Sequence, residues 1–93
     1  MKNIEENHFR IIKNILKQYP YTFYAYGSRV KGTSRKFSDL DLCYRENIPV
    51  KIIGEIREKL EESNLPYRVD LVSWDDLSSR FKKLIEGDLF PVT

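Results

Sequence analysis

The sequence predicts one α+β domain in which helices pack on a small mixed β-sheet. Its 93 residues are enough for a single hydrophobic core, so residues 1–93 are treated as one domain. Segments of helical periodicity alternate with short apolar segments, in the order helix, strand, turn, strand, helix, strand, helix. This order is typical of a three- or four-stranded sheet with helices packed on it.

The first elements lead to a turn made of small residues. Apolar side chains recur every three or four positions from His8 to Tyr19, which predicts an amphipathic helix, and Pro20 marks its end. The aromatic, β-favouring segment Thr22 to Tyr26 predicts a buried strand that stops at Gly27. The residues from Ser28 to Gly32 then predict a short helical turn.

The second predicted strand, Ser38 to Tyr44, has one apolar and one acidic face. Side chains alternate along a strand, so two sets separate: Leu40, Leu42 and Tyr44 on one side, and Asp39, Asp41 and Cys43 on the other. Two carboxylates on one face are incompatible with an ordinary core face. The acidic face is therefore a candidate functional site.

A second helix and a third strand follow. Pro49 suits the first turn of a helix. Its predicted apolar stripe consists of Ile52, Ile53, Ile56 and Leu60. The segment Tyr67 to Ser73 predicts a strand with Asp70 in the middle of an apolar run.

The last predicted helix begins at a capping-box-like pair, Ser73 and Asp76, and Gly87 stops it. We expect it to bury four apolar residues: Leu77, Phe81, Leu84 and Ile85. The tail after Gly87 carries apolar residues that could close over the core or meet another chain. Association with a second copy is compatible with a domain this small.

Composition narrows the function class. The net charge of +2 is too small for a nucleic-acid-coating surface, so direct nucleic-acid binding is not expected. Cys43 is the only cysteine, which excludes an intramolecular disulfide. No stretch approaches the roughly 20 apolar residues that cross a bilayer, and the first residues do not resemble a signal peptide. We therefore expect a cytoplasmic protein with no membrane association.

The turn and the acidic strand together predict a metal–nucleotide site. The turn at Gly27 and Ser28 can present backbone N–H groups and a hydroxyl to a phosphate, and Arg29 or Lys31 can add positive charge there. The α-carbons of Asp39 and Asp41 are about 6.6 Å apart along a strand, which lets both carboxylates converge on one or two Mg²⁺ ions. Magnesium takes few protein carboxylates and keeps its other positions for water and phosphates.

Asp70 completes the set if its strand lies beside the strand of Asp39 and Asp41. Three uncompensated carboxylates on one face repel one another, and a divalent cation relieves the repulsion. Such a site supports in-line attack on a nucleoside triphosphate. Asp39 and Asp41 would hold metal, whereas Asp70 would either ligate the ion on the nucleophile side or accept the proton of an attacking hydroxyl.

The three motifs G-S-R-V-K-G, S-D-L-D-L and V-D-L, at residues 27–32, 38–42 and 69–71, resemble those of the polymerase-β-type nucleotidyltransferase superfamily, and most closely its minimal nucleotidyltransferase group. The resemblance covers nearly the whole chain. It implies a polymerase-β-like core and magnesium-dependent transfer of a nucleoside monophosphate, carried by Asp39, Asp41 and Asp70. The triphosphate is expected to be ATP.

The resemblance also implies a partner. Minimal members are similar to antitoxins encoded beside a helical HEPN-domain ribonuclease, which they bind and in some cases are thought to adenylylate on a tyrosine. This chain is too short for the acceptor-binding domain of larger relatives, so acceptor recognition must come from a second chain or be weak. The absence of a strongly basic face argues against a DNA polymerase.

Two other function classes are compatible with the sequence. The chain could be a binding module that neutralises its partner by covering it, with a vestigial or structural metal site. It could also transfer a nucleotide to a small hydroxylated molecule, but no acceptor pocket for one can be located in the sequence.

Overall fold

The computed structural model describes residue 1 and residues 3–93, and they form a four-stranded sheet with helices on both faces. The elements along the chain are α1 (Glu6–Leu16), β1 (Tyr24–Tyr26), α2 (Ser28–Lys31), β2 (Leu40–Tyr44), α3 (Val50–Glu61), β3 (Val69–Ser73), α4 (Ser79–Ile85) and β4 (Phe90–Pro91). The predicted α+β class is confirmed. None of the helices in these residues has the length and apolar character needed to cross a membrane.

The strand order is β3-β2-β1-β4, with β3 at one edge. β1 pairs antiparallel with both β2 and β4, whereas β2 and β3 are parallel. The parallel pair needs a crossover connection, and α3 supplies it. The sheet is therefore mixed, as expected.

The main core lies on the sheet face that α1 and α3 cover. Strand side chains of this face, among them Ala25, Leu40 and Leu42, are fully buried against Ile12, Leu16 and Ile56 of the helices. The predicted apolar stripes of both helices therefore face the sheet. Their burial is the largest stabilising contribution to the fold.

A smaller cluster lies on the opposite face, under α4. It contains Tyr26 and Cys43 from the sheet and Ile85 from α4. This cluster covers only part of that face. The acidic residues of β2 and β3 lie on the same face, where they remain accessible.

The last helix differs from its prediction. Residues Trp74–Asp76 form a 3₁₀ turn, and α4 begins only at Ser79, with the hydroxyl of Ser78 accepting a hydrogen bond from the Phe81 N–H at 3.2 Å. The real cap is Ser78 because the chain remains extended at Leu77. The helix ends at Ile85, and Gly87 lies in a second 3₁₀ turn, Glu86–Asp88.

Burial on α4 also differs from its prediction. Ile85 is buried, but Phe81 is 38% exposed and Leu84 is 64% exposed. A helix of two turns over a small cluster has room to bury only one side of itself. The apolar tail, by contrast, closes over the core: Phe90 and Pro91 pair with β1, and Val92 is buried.

A buried arginine connects three chain segments. Arg29 of α2 donates from Nη1 to the Asn3 carbonyl at 2.6 Å, from Nη2 to the Lys36 carbonyl at 3.2 Å, and from Nε and Nη2 to the Ser38 carbonyl at 3.0 and 2.8 Å. Its guanidinium lies 3.8 Å from the ring centroid of Tyr67, just before β3. Arg29 thereby ties the N-terminal segment and the loop before β2 to the base of β3.

Arg29→Met should lower the free energy of unfolding by about 2 to 4 kcal/mol, because it leaves the carbonyls of Asn3, Lys36 and Ser38 without their buried, charged donor. Arg10→Met is the matched control. Arg10 is an exposed helix residue whose partner is Glu6, so its loss should cost less than about 0.5 kcal/mol. Urea denaturation of both variants measures the difference, and equal stabilities would contradict a structural role for Arg29.

Candidate active site

The acidic face is centred on Asp41. In the parallel register of β2 and β3, Asp41 lies directly beside Asp70. In the antiparallel register of β1 and β2, Asp41 lies beside Tyr26. The expected adjacency of the strands that carry Asp41 and Asp70 is confirmed, and residues paired in this way project to the same face of a sheet.

Asp39 lies at the entrance to β2. It is exposed and immediately precedes the first strand residue, Leu40, whose N–H donates to the Arg68 carbonyl at 2.9 Å. This hydrogen bond holds the beginnings of β2 and β3 together. Asp39 is close enough to Asp41 for its charge to raise the pKa of the Asp41 carboxyl.

The electrostatics of the site are those of crowded carboxylates. Burial raises the pKa of Asp41 above its ordinary value, and the charges of Asp70 and then Asp39 raise it further. In the part of the chain that the structure describes, no basic side chain lies within ion-pair distance of Asp39 or Asp41. A negative charge on Asp41 is therefore poorly compensated by the protein itself.

Asp70 has one basic neighbour. Its Oδ1 accepts a hydrogen bond from Nη2 of Arg68 at 3.1 Å. The Arg68 side chain is 80% exposed, so this pair contributes little to stability and can open without much cost.

The donor set fits Mg²⁺ by its chemistry. Among residues 1 and 3–93, no three acidic, histidine or cysteine side chains converge tightly enough to enclose a metal ion. Mg²⁺ does not require such enclosure, since one or two carboxylates suffice when phosphates and water supply the other ligands. Under-compensated oxygens at Asp41, with Asp39 and Asp70 beside it, are the kind of ligands that a hard cation takes.

The glycine turn directly adjoins these carboxylates. Gly27 has φ +86°, and a Cβ built on it would lie 2.8 Å from Oδ2 of Asp41. Any side chain at this position would therefore displace the carboxylate. The turn caps α2, whose first amides, those of Ser28 and Arg29, have no carbonyl partner within the helix. Gly27 thus lies directly beside Asp41, and Ser28 follows it as the first residue of α2.

The side chain of Arg29 has a different environment from the predicted one. The sequence predicts that Arg29 or Lys31 adds charge beside the phosphates, but the Arg29 guanidinium is buried and donates to the backbone carbonyls of Asn3 and Ser38. Two of the carbonyls that Arg29 binds, those of Lys36 and Ser38, belong to the loop before β2, and a partly buried carbonyl requires a donor. The guanidinium of Arg29 is therefore occupied elsewhere, and the backbone N–H is the one group of this residue that remains a candidate phosphate donor.

Tyr26 is a site residue that the sequence reasoning missed. Its side chain is buried beside Asp41, and burial together with the charges of Asp41, Cys43 and Asp70 raises the pKa of its hydroxyl to about 12. The hydroxyl therefore remains protonated and is a potential hydrogen-bond donor at neutral pH. The pairing with Asp41 depends on the register of β1 with β2, for which the sequence contains no explicit signal.

A cavity of about 730 Å³ opens along β3, and Tyr26, Asp41 and Asp70 line it together. Cavities of roughly 300 to 1,000 Å³ are typical of small-molecule and cofactor sites. Asp41 and Asp70 therefore face a space large enough for a nucleotide, with the Gly27 turn beside Asp41, whereas Asp39 is not among the lining residues.

Comparison with known proteins agrees with this geometry. The family model described as polymerase beta, nucleotidyltransferase, matches residues 10–89. The chain is 40% identical over 87 residues to MntA of Haemophilus influenzae, which is named a probable protein adenylyltransferase, and the match covers 89% of this chain and 76% of MntA. The matched region includes the glycine turn and all three aspartates. The chain therefore belongs to the polymerase beta nucleotidyltransferase family.

Proposed function

We propose that this protein is a Mg²⁺-dependent adenylyltransferase that transfers AMP from ATP to a tyrosine hydroxyl of a helical HEPN-type partner and thereby acts as an antitoxin in the cytoplasm. The observation that carries the proposal is the pairing of Asp41 with Asp70 beside the Gly27 turn. The similarity to MntA, a probable protein adenylyltransferase, supports AMP as the transferred group and a protein as the acceptor.

The chain's own residues divide the work of this reaction. Asp39 and Asp41 would hold Mg²⁺, which supplies charge neutralisation for the triphosphate and for the leaving group. Ser28 and the amides beside it would bind the phosphates. Asp70 would orient the acceptor hydroxyl and take its proton, or share the metal on that side.

The transfer requires no reactant besides ATP and the acceptor hydroxyl. The acceptor oxygen forms a bond to the α-phosphorus of ATP, and the bond between that phosphorus and the bridging oxygen of the β-phosphate breaks. Pyrophosphate leaves with the bonding electrons, and the hydroxyl proton passes to Asp70 or to water. The hydroxyl of Tyr26, held in its neutral form, can donate a hydrogen bond to an oxygen bound in the cavity.

Replacement of the carboxylates proposed to bind metal should lower the transferase activity but raise the stability of the metal-free protein. Asp39→Asn with Asp41→Asn should lower transfer from labelled ATP to the HEPN-type protein encoded beside this chain by more than about a hundredfold. The same change should raise the melting temperature of the metal-free protein, because it removes repulsion among crowded carboxylates.

The matched control is Asp75→Asn with Asp76→Asn, two exposed carboxylates in a 3₁₀ turn. This pair should leave transfer unchanged. Undiminished transfer by the Asp39 and Asp41 double variant would contradict the proposal. If that variant lost transfer but still neutralised the partner completely, the protein would act as a binding module instead.

The glycine turn provides a second test. Gly27→Ala should destabilise the protein by about 1 to 3 kcal/mol and raise the KM for ATP, because the backbone conformation disfavours a side chain and the new methyl group would displace Asp41. Gly54→Ala is the control, since Gly54 lies within α3 and a Cβ there meets nothing within 4 Å. That change should stabilise the protein by about 0.5 to 1 kcal/mol with normal kinetics. A Gly27→Ala enzyme with wild-type KM would exclude the turn from nucleotide binding.

A further inference from the structure

The basic side chains of the glycine turn do not line the cavity. The Arg29 guanidinium is buried and donates to backbone carbonyls, and Nζ of Lys31 lies 3.7 Å from Oδ2 of Asp88. Neither of these basic residues is part of the lining that contains Asp41 and Asp70. Positive groups that contact a transferring phosphoryl group stabilise the charge that develops on it. A protein cation that assists the transfer therefore has to come from the lining of the cavity itself.

Among the described residues, two arginines line the cavity, Arg57 and Arg68, and they differ in how firmly they are held. Nη2 of Arg57 donates to the Leu71 carbonyl at 2.7 Å. This carbonyl belongs to an edge strand and would lose that donor if Arg57 moved. Arg68 pairs with Asp70 at 3.1 Å, and its side chain is 80% exposed. Exposed ion pairs are weak, so the guanidinium of Arg68 is the one that can move at little cost.

Arg68 lies on the acceptor side of the site. Gly27, Asp41 and Asp70 follow one another across β1, β2 and β3. In an in-line displacement the attacking and leaving oxygens lie on opposite sides of the phosphorus. In the proposed reaction the leaving phosphates lie at the Gly27 turn and the acceptor hydroxyl lies at Asp70, so the α-phosphate lies between them. Because Arg68 already contacts Asp70, its guanidinium is within a side-chain rotation of that phosphate.

The contact between Arg68 and Asp70 is one that a phosphate can replace. Oδ1 of Asp70 accepts one hydrogen bond, from Nη2 of Arg68. Arginine presents its donors in a planar fork, and its bidentate bonds to phosphate are stronger than one bond to an exposed carboxylate. When the guanidinium moves to the phosphate, Oδ1 of Asp70 becomes accessible to the acceptor hydroxyl. The same movement thus brings a cation to the transferred group and frees the carboxylate that would orient the acceptor.

We infer that Arg68 is a catalytic residue: it leaves Asp70 when the nucleotide binds and donates to a non-bridging oxygen of the α-phosphate as AMP is transferred. The inference rests on the proposed function, since it assigns the protein cation of that reaction. The sequence predicts this charge at the glycine turn, from Arg29 or Lys31. Arg68 supplies it instead from the other side of the acidic face, immediately before β3.

The first test replaces the charge. With the purified HEPN-type neighbour as acceptor, Arg68→Gln should lower kcat by about a hundredfold, as expected for the loss of one donor to a developing charge. The dissociation constant for ATP should change by less than about threefold, because the ground state exchanges one ionic partner of Arg68 for another. Arg68→Lys retains the charge and should recover part of the loss. Arg10→Gln is the matched control, since Arg10 is also exposed and paired with a carboxylate, that of Glu6, and its loss should leave kcat unchanged.

A sulfur substitution distinguishes contact with the phosphate from an effect that acts through Asp70. The two diastereomers of ATP that carry one sulfur on the α-phosphate present this sulfur to different sides of the site. Arg68 favours the diastereomer whose oxygen faces the guanidinium, so the ratio of the two transfer rates should change by about tenfold or more in Arg68→Gln. A lowered kcat with an unchanged ratio would overturn the inference, because Arg68 would then act only through Asp70.

A measurement without turnover separates this inference from the proposed function. Phenylglyoxal modifies exposed arginines, and saturating α,β-methylene-ATP with Mg²⁺ should slow the modification of Arg68 by about fivefold or more, with that of Arg10 unchanged, as measured by mass spectrometry. If wild type transferred nothing to the neighbour, the proposed function would fail, and protection of Arg68 would still support its contact with the phosphates. Equal modification of Arg68 with and without nucleotide, or a normal kcat in Arg68→Gln, would overturn the inference and leave adenylyl transfer intact.

Discussion

The parallel register of β2 and β3 is the constraint on which the site depends. It places Asp41 directly beside Asp70, on a partly buried face where two like charges oppose each other. Such a pair is unfavourable in the isolated chain, and it persists because the apolar residues on the other face of the same strands, such as Leu40, Leu42 and Leu71, are buried under α1 and α3. A slip of one residue would bring those apolar side chains to the acidic face, so core packing maintains the repulsion.

Arg29 lies close in sequence to the acidic strand but does not compensate its charge. A guanidinium this close in sequence to Asp39 and Asp41 would ordinarily be expected to pair with them. Its donors instead go to backbone carbonyls of the N-terminal segment and of the loop before β2, and its face stacks on Tyr67. The positive charge thus organises the entrances to both acidic strands without neutralising the carboxylates. The negative charge at Asp41 is thus left without a basic partner among the described residues.

Features that depend on neighbouring residues could be predicted from the sequence, whereas features that depend on contacts between distant segments could not. Alternation along Ser38 to Tyr44 and the periodicity of α3 are local patterns, so the strands, the helices and the acidic face could be predicted from neighbouring residues. The destination of the Arg29 side chain and the pairing of Tyr26 with Asp41 depend on contacts between distant segments. For α4, a plausible cap at Ser73 competed with the better one at Ser78, and only the packed structure decides how much of so short a helix is buried.

The two faces of the sheet differ in how completely they are covered. Helices α1 and α3 bury one face in the main core, whereas the acidic face carries only the smaller cluster under α4. A second full layer of helices would stabilise the sheet further, but it would also cover the face that carries Asp41 and Asp70. Helix α4 packs through Ile85 in the small cluster with Tyr26 and Cys43, and the cavity along β3 remains open. The part of this face that α4 does not cover is therefore accessible to another molecule. The same sheet face therefore carries the paired carboxylates, the buried Tyr26 and the cavity.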